Sequence, residues 1–386
     1  METVRSQNER FVWHRPKDEP IGPRTHALVI GTSFYEHVDG QIFKKLNLKG
    51  LDCAASSAFR FASWLKDSYR SAEAPLGSIR LLASPSELER GVLNANHKVS
   101  LFPSTAENVE EALATWQIDC QQQEGNVALL YVSGHGVLES PDQVYVLLQD
   151  AFGQLNLRNA LSIAPTQIAL GAGRLSASII FVDSCQQVLP DAHWDLRGGI
   201  YLSPPRDPQP DSRTCAPIYY ASSPGGSAFG EAGKGTYFCD ALIKCLEVRA
   251  ATQKQSDPKV WSVTTNSLHR ELPSAVQELA PKQVVRPAGW GRDRDLHQLV
   301  NPPVLPLSVS VTPKEKAGFA QGTLRDYCKT EVESNIRFAN SQYSARLPCG
   351  SYSLRMICDP PPRFVEQVHR IFHSPPFGGK EQIDLE

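Results

Sequence analysis

The sequence predicts an α/β protein, a sandwich of helices around a mostly parallel sheet, followed by a small C-terminal all-β domain. Three observations predict it. Ser178-Ile-Ile-Phe-Val-Asp-Ser184 and Asn126-Val-Ala-Leu-Leu-Tyr-Val-Ser133 each contain a short unbroken apolar run rich in β-branched and aromatic residues. Strands buried on both faces of a parallel sheet read this way. Helical periods alternate with such runs over the first 250 residues, as in a layered α/β unit. Beyond Val304 the pattern turns to short alternating strands, among them Leu307-Ser-Val-Ser-Val311 and Tyr352-Ser-Leu-Arg-Met-Ile357, with Pro348-Cys-Gly350 as a turn. That suits a β-sandwich.

Taken in order, residues 1–24 are polar and carry several prolines, and are expected as an extended arm. His26-Ala-Leu-Val-Ile-Gly31 is the first strand, and a loop through Tyr35, Glu36 and His37 follows it. Leu51 to Leu65 is alanine-rich with apolar residues at helical spacing. Pro75-Leu-Gly77 turns into a second strand, Ser78 to Ala83. Ser104-Thr-Ala-Glu107 starts a helix with an acidic first turn, expected to reach about Gln122. The strand ending at His135, a hairpin-like Val144 to Leu148, a helix near 164–172 and the strand ending at Cys185 come next. Leu189 to Pro217 is rich in proline and is expected as a long exposed loop. Ile218-Tyr-Tyr-Ala-Ser-Ser223 is a core strand, Pro224-Gly-Gly226 a turn, and Gly235 to Leu246 a closing amphipathic helix. Residues 251–303 read as a connecting segment with one helix, Ser267 to Leu279, and a linker at Asn301-Pro-Pro303. The expected organisation is therefore an arm at 1–24, a main domain at 25–250, a connection at 251–303 and a β-rich domain at 304–386.

Composition narrows the function. At 386 residues the chain is long enough for two compact units, and 41% apolar residues supply their cores. A net charge of −2 predicts neither a nucleic-acid nor a membrane-surface partner. No apolar run approaches the roughly 18 residues that cross a bilayer, and the first ten residues lack the apolar centre of a signal peptide. Nine cysteines, an odd number, show no Cys-x-x-Cys and no zinc spacing. Reduced thiols in a cytoplasmic protein are expected, with no metal and no cofactor.

The two strands singled out at the start end in chemistry. Neighbouring parallel strands would bring His135 and Cys185 to the carboxyl edge of the sheet, where ligands bind in open α/β folds. A cysteine nucleophile needs a base and donors for the developing oxyanion. Cys185 supplies the nucleophile and His135 the base. Gly136, without Cβ, lets its N–H approach a substrate and forms the oxyanion hole with the N–H of Cys185. Singly, a strand-end cysteine or a lone histidine is an inert structural residue; it is the pair with both flanking motifs that reverses this. The other eight cysteines read as structural, with Cys239 and Cys245 on a helix and Cys349 and Cys358 on the β-domain. His193, Arg197, Arg206 and Arg213 read as exposed loop residues.

Ser133-Gly-His-Gly136 and Asp183-Ser-Cys185 resemble the two motifs of the caspase-like cysteine proteases, the clan of caspases, metacaspases and bacterial relatives. The histidine lies 50 residues before the cysteine, a spacing known for caspases. The strand His26 to Gly31, and Tyr219-Tyr-Ala-Ser-Ser-Pro-Gly225 followed by Gly235-Thr-Tyr-Phe238, resemble the clan's first strand, substrate loop and closing helix. The resemblance spans roughly residues 24–250. It implies a cysteine endopeptidase acting on a protein or peptide, with Asp183, Ser222 and Ser223 at the substrate. Caspases hold a substrate aspartate with arginines, and neither Gly226 to Glu231 nor His26 to Gly50 contains one. Metacaspases, which cut after basic residues, carry an acid two residues before the cysteine, where Asp183 stands. Their second pocket acid has no counterpart in register, Asp52 being offset. Gln186-Gln187 replaces the histidine and serine that metacaspases place after the cysteine. Asp183 reads equally as a brace for the catalytic loop.

The family's bacterial members imply a wider expectation: an effector of antiviral defence, switched on by a nucleotide second messenger as in Thoeris-type systems, or by a partner. Activation of a gasdermin-like pore former is an alternative, and a non-catalytic scaffold is another. A small nucleotide activator and a homo-oligomer are candidate partners. The domain at 304–386 is the expected seat of regulation.

Overall fold

In the computed structural model, residues 11–14, 21–96, 101–140, 142–153, 158–188, 199–204, 215–289, 291–361, 363–376 and 378–385 are described. They divide into two compact units, Met1–Ile243 with Leu272–His297, and Lys244–Glu271 with Gln298–Glu386.

The first unit is built on seven strands: β1 (Phe11–His14), β2 (Thr25–Thr32), β3 (Leu76–Ser84), β4 (Val127–Gly134), β5 (Ala177–Ser184), β6 (Ile218–Tyr220) and β7 (Arg286–Ala288). Their order is β1-β3-β2-β4-β5-β6-β7. The five inner strands are parallel, and the two edge strands run antiparallel to their neighbours. Every residue of β3, β4 and β5 is buried. That is why these strands read as continuous apolar runs and not as alternating ones. Helices Ala54–Asp67 and Ala106–Gln121 pack on the sheet. Trp116, fully buried, adds an indole N–H bond of 2.9 Å to the His26 carbonyl. The second of these helices is capped by Thr105, whose hydroxyl accepts the Asn108 N–H.

A second, four-stranded sheet lies beyond the carboxyl ends of β4 and β5. Gly136–Ser140 pairs antiparallel with Gln143–Leu147, which pairs with Ala160–Ser162. Its remaining strand, Gln187–Val188, pairs parallel with Val137 and Leu138. The chain segments leaving β4 and β5 thus meet again three residues later.

Several expectations are modified. Part of the N-terminal arm is a strand, since Phe11–His14 pairs with β3. The closing helix starts at Tyr237, after a short hairpin of Gly230–Glu231 with Gly235–Thr236, and ends in a π turn, Cys245–Arg249. Within 189–217, Ile200, Leu202 and Cys215 are buried, so those stretches are not an exposed loop. His193, Arg197, Arg206 and Arg213 lie outside the described residues. The stretch 251–303 is not merely a connection. It holds a hairpin of Ala251–Lys254 with Asp257–Thr264, the helix Thr265–Leu279 and the edge strand β7.

In the second unit, Val304–Thr312 lies between Gln342–Pro348 and Gly379–Asp384 in one sheet. A four-stranded sheet orders Glu331–Arg337, Ala320–Asp326, Gly350–Cys358 and Gln367–His373. Leu307, Val309, Leu324, Leu354, Met356 and Ile371 form its apolar core, as alternation in a sandwich requires. Among the described residues no helix is long and apolar enough to cross a membrane.

Candidate active site

Strands β4 and β5 pair in register, Ser133 with Asp183 and Gly134 with Ser184. His135 and Cys185 are the next residue on each. Neighbouring strands run about 4.8 Å apart, so both side chains leave the sheet at one edge. Gly136 then has no room for a Cβ, which would overlap the Cys185 carbonyl oxygen. The Leu147 N–H donates to the His135 carbonyl at 2.8 Å. Gly136 and Val146 are therefore a non-hydrogen-bonded pair, which turns the Gly136 N–H away from Val146, to the side of the segment following Cys185.

His135 is 8% exposed and held at three points. Its N–H donates to the Tyr35 hydroxyl at 2.8 Å, and that hydroxyl donates to the Thr32 carbonyl at 3.1 Å. The Tyr35 ring packs on the imidazole, centroids 5.1 Å apart. Nε2 lies 2.6 Å from the Lys49 carbonyl oxygen. A carbonyl can only accept, so Nε2 carries the proton and Nδ1 is left as the basic nitrogen.

The loop that presents Lys49 is fixed in turn. Phe43 and Leu46 pack with Tyr35, Val137 and Leu147 in a small core. The Ser33 hydroxyl accepts the N–H groups of Ala54 and Ala55, and Glu89 accepts that of Ser56 at 2.8 Å. These bonds satisfy the orphan donors of the helix that follows the loop.

The Cys185 thiol faces the segment after β6. Its Sγ accepts the Ala228 N–H at 3.2 Å and lies 3.6 Å from the Ala228 carbonyl oxygen. Burial raises the thiol pKa above its ordinary value and the nearby Asp183 charge adds to this, while the Ala228 N–H opposes it. Burial lowers the His135 pKa, against the Lys49 bond. Both shifts favour the uncharged forms, so the resting pair is thiol and imidazole, not thiolate and imidazolium.

Asp183 is 2% exposed. Its Oδ2 accepts the hydroxyls of Tyr131 and Thr236, Oδ1 is buried, and the neighbouring Ser133 hydroxyl also stabilises the charge. Burial pushes its pKa up to about 6, although the hydroxyls of Thr236, Tyr131 and Ser133 pull it down. Ser222 lies under the segment that leads into Cys185: fully buried, it donates to the Ser184 carbonyl at 2.9 Å. Ser223 is half-buried at the start of the loop, and its carbonyl accepts the Gly226 N–H. His135, Gly136 and Cys185 are thus brought together, Asp183 and Ser222 sit beneath them, and Ser223 is set to one side. Sequence reasoning missed Tyr35, the Lys49 carbonyl and both glutamines after the cysteine. Gln186, fully buried, donates to the Ser222 carbonyl at 2.6 Å, and Gln187 to the Leu46 carbonyl at 2.7 Å. Replacing the metacaspase histidine and serine was the only signal for the glutamines.

The caspase domain profile matches residues 24–284, about two thirds of the chain. The chain belongs to the caspase domain family. Among solved structures, this caspase-domain chain is similar to a protein of Geobacter sulfurreducens at 13% identity. That match covers 72% of this chain and 98% of the other, with a TM-score of 0.41. It is also similar to caspase-1 from Spodoptera frugiperda, at 14% identity over 75% of this chain and 93% of the other, with a TM-score of 0.39. At these scores the two structures add nothing to the assignment, which rests on the profile. No curated protein matches the chain.

Two predictions follow from the electrostatics. The rate of Cys185 alkylation by iodoacetamide in the unliganded protein should reach half its maximum above pH 9.0, the ordinary thiol value. A rate plateau already below pH 7 would show a resting thiolate and contradict the neutral pair. The second concerns Asp183, whose folded pKa lies above its unfolded value of 3.8. Ionising it then opposes folding, so its contribution improves as the pH falls from above 6 towards 4. Relative to Asp183→Asn, wild-type unfolding free energy should rise over that window by on the order of 3 kcal/mol. Denaturant curves at several pH values measure it, and a difference constant with pH would contradict the assignment.

Proposed function

We propose that this caspase-domain protein is a regulated cytoplasmic cysteine endopeptidase that cuts after arginine or lysine. The observation that carries the reading is the junction of β4 and β5, where His135, Gly136 and Cys185 meet and His135 is held by the Lys49 carbonyl. In the proposed reaction Nδ1 of His135 takes the thiol proton as Sγ attacks the scissile carbonyl carbon. The N–H groups of Gly136 and Cys185 receive the oxyanion, which in a water-poor site lowers the barrier. Collapse breaks the C–N bond, and the imidazolium gives its proton to the leaving amine. Water, deprotonated by the same imidazole, then hydrolyses the thioester.

The preference for a basic residue rests on Asp183. Its Oδ1 is a buried acceptor, and the charge acts on the thiols of Cys53 and Cys185 alike. A cationic side chain reaching it would pair with that oxygen. It would also cancel the field that raises the thiol pKa, so binding and activation would be coupled. Ser222 and Ser223 would border the substrate from the loop after β6.

Regulation belongs to the same proposal. A neutral dyad with its thiol bonded by its own chain is a resting arrangement. A nucleotide or protein partner would release it by binding the active state better, and a shift from 1:99 to 99:1 takes about 5.5 kcal/mol of differential affinity. Service as an inducible effector in defence is the wider form of this reading.

Cys185→Ala and His135→Ala should each lower peptide cleavage by at least about a hundredfold while both variants still fold. Full turnover in Cys185→Ala would remove the protease reading. In a peptide library, arginine or lysine before the scissile bond should be favoured over aspartate by roughly ten- to a hundredfold. Asp183→Asn should erase that preference. A profile favouring small or acidic residues would contradict the role of Asp183.

A further inference from the structure

We propose that Gln283 is a positioning residue that holds the loop 222–228 closed across the Cys185 thiol. The inference rests on the reading of Cys185 as the nucleophile.

Gln283 lies in the turn between the helix Thr265–Leu279 and strand β7, and is 1% exposed. β7 pairs with β6, Arg286 opposite Tyr220, which brings the turn alongside the chain as it leaves β6. The Gln283 side chain makes two bonds there. Its Nε2 donates to the Ala221 carbonyl at 3.0 Å, and its Oε1 accepts the Phe229 N–H at 3.0 Å. Ala221 and Phe229 are the residues that bracket the loop, so one buried amide closes both of its ends. A carbonyl can only accept and an N–H only donate, so the amide orientation is unambiguous.

Between those ends the loop is laid onto the catalytic segment. The Gly225 N–H donates to the Gln186 carbonyl at 2.8 Å, and the Gln186 N–H to the Gly226 carbonyl at 3.1 Å. Ala228 then places its N–H on Sγ. A scissile carbonyl carbon has to come within about 3–3.5 Å of the attacking sulfur. A peptide group of the loop already lies against that sulfur, so the loop has to lift before a substrate can be cut. Pro224, Gly225, Ser227 and Phe229 are exposed. Backbone bonds, the Gln186 and Ser222 side chains at the start of the loop, and the Gln283 clasp that joins its two ends hold the closed form, with little apolar burial to help. The turn also depends on Gly225, whose φ of +75° lies in the left-handed region. A Cβ there would meet no heavy atom within 4 Å, so alanine strains the closed turn without a clash.

The test uses the full chain and two readouts, alkylation of Cys185 by iodoacetamide, mapped by peptide mass, and cleavage of a peptide ending in arginine. Q283A should accelerate both by about fivefold or more, since buried hydrogen bonds at both ends are lost. G225A, at an exposed position, should accelerate both about fivefold through backbone strain alone. Water replaces the lost Ala228 donor on the thiol, so accessibility governs the rate. If Q283A fails to fold, G225A decides. Alkylation and cleavage no faster than wild type in folded G225A would overturn the clasp, even with cleavage intact. Faster alkylation with no cleavage in any variant would uphold it and overturn the endopeptidase reading instead.

Discussion

Everything at the site depends on two strands that pair, part and pair again. β4 and β5 are in register up to Gly134 and Ser184. Their continuations meet once more at Val137 and Gln187, in the smaller sheet. His135, Gly136 and Cys185 occupy the short interval between the two pairings. Backbone hydrogen bonds on either side leave that interval little freedom, so the relative placement of the three residues is a property of the sheets. Side chains then refine it. Tyr35 and the Lys49 carbonyl settle the imidazole, and the hydroxyl of Ser222 supports the turn before Cys185.

The same packing sets the electrostatics against spontaneous activity. The dyad and Asp183 are all driven towards their neutral forms by burial. On the proposed reading, an arrangement of this kind is quiet until something changes the local field or the loop. A cationic substrate group beside Asp183 would do the first, and release of the segment 222–228 the second. Activation of this proposed kind would need no reconstruction of the pair, because the strand pairing that places it would be unaffected by either event.

Much of this was legible in the sequence, for a physical reason. Strands buried on both faces are continuous apolar runs, so the positions where they stop, at His135 and Cys185, stand out. The alternating strands beyond Val304 were legible because a sandwich has one wet face. What escaped were contacts between residues far apart in the chain. Nothing near Gln283 shows that its amide closes a loop 54 residues earlier, and a backbone carbonyl such as that of Lys49 carries no sequence signal. Asp183 was expected at the substrate, and its burial under two hydroxyls supports the bracing role as well. The strands at Phe11–His14 and Arg286–Ala288 were hidden because antiparallel edge strands need no apolar run of their own.

The central claim is that Cys185 alone, of nine cysteines, is placed to attack a peptide carbonyl. Incubation with a peptidyl arginine chloromethyl ketone, followed by peptide mapping, tests it directly. The account predicts a single adduct, on Cys185, which fails to form in His135→Ala. Labelling spread over other cysteines, or undiminished labelling of Cys185 without His135, would contradict it.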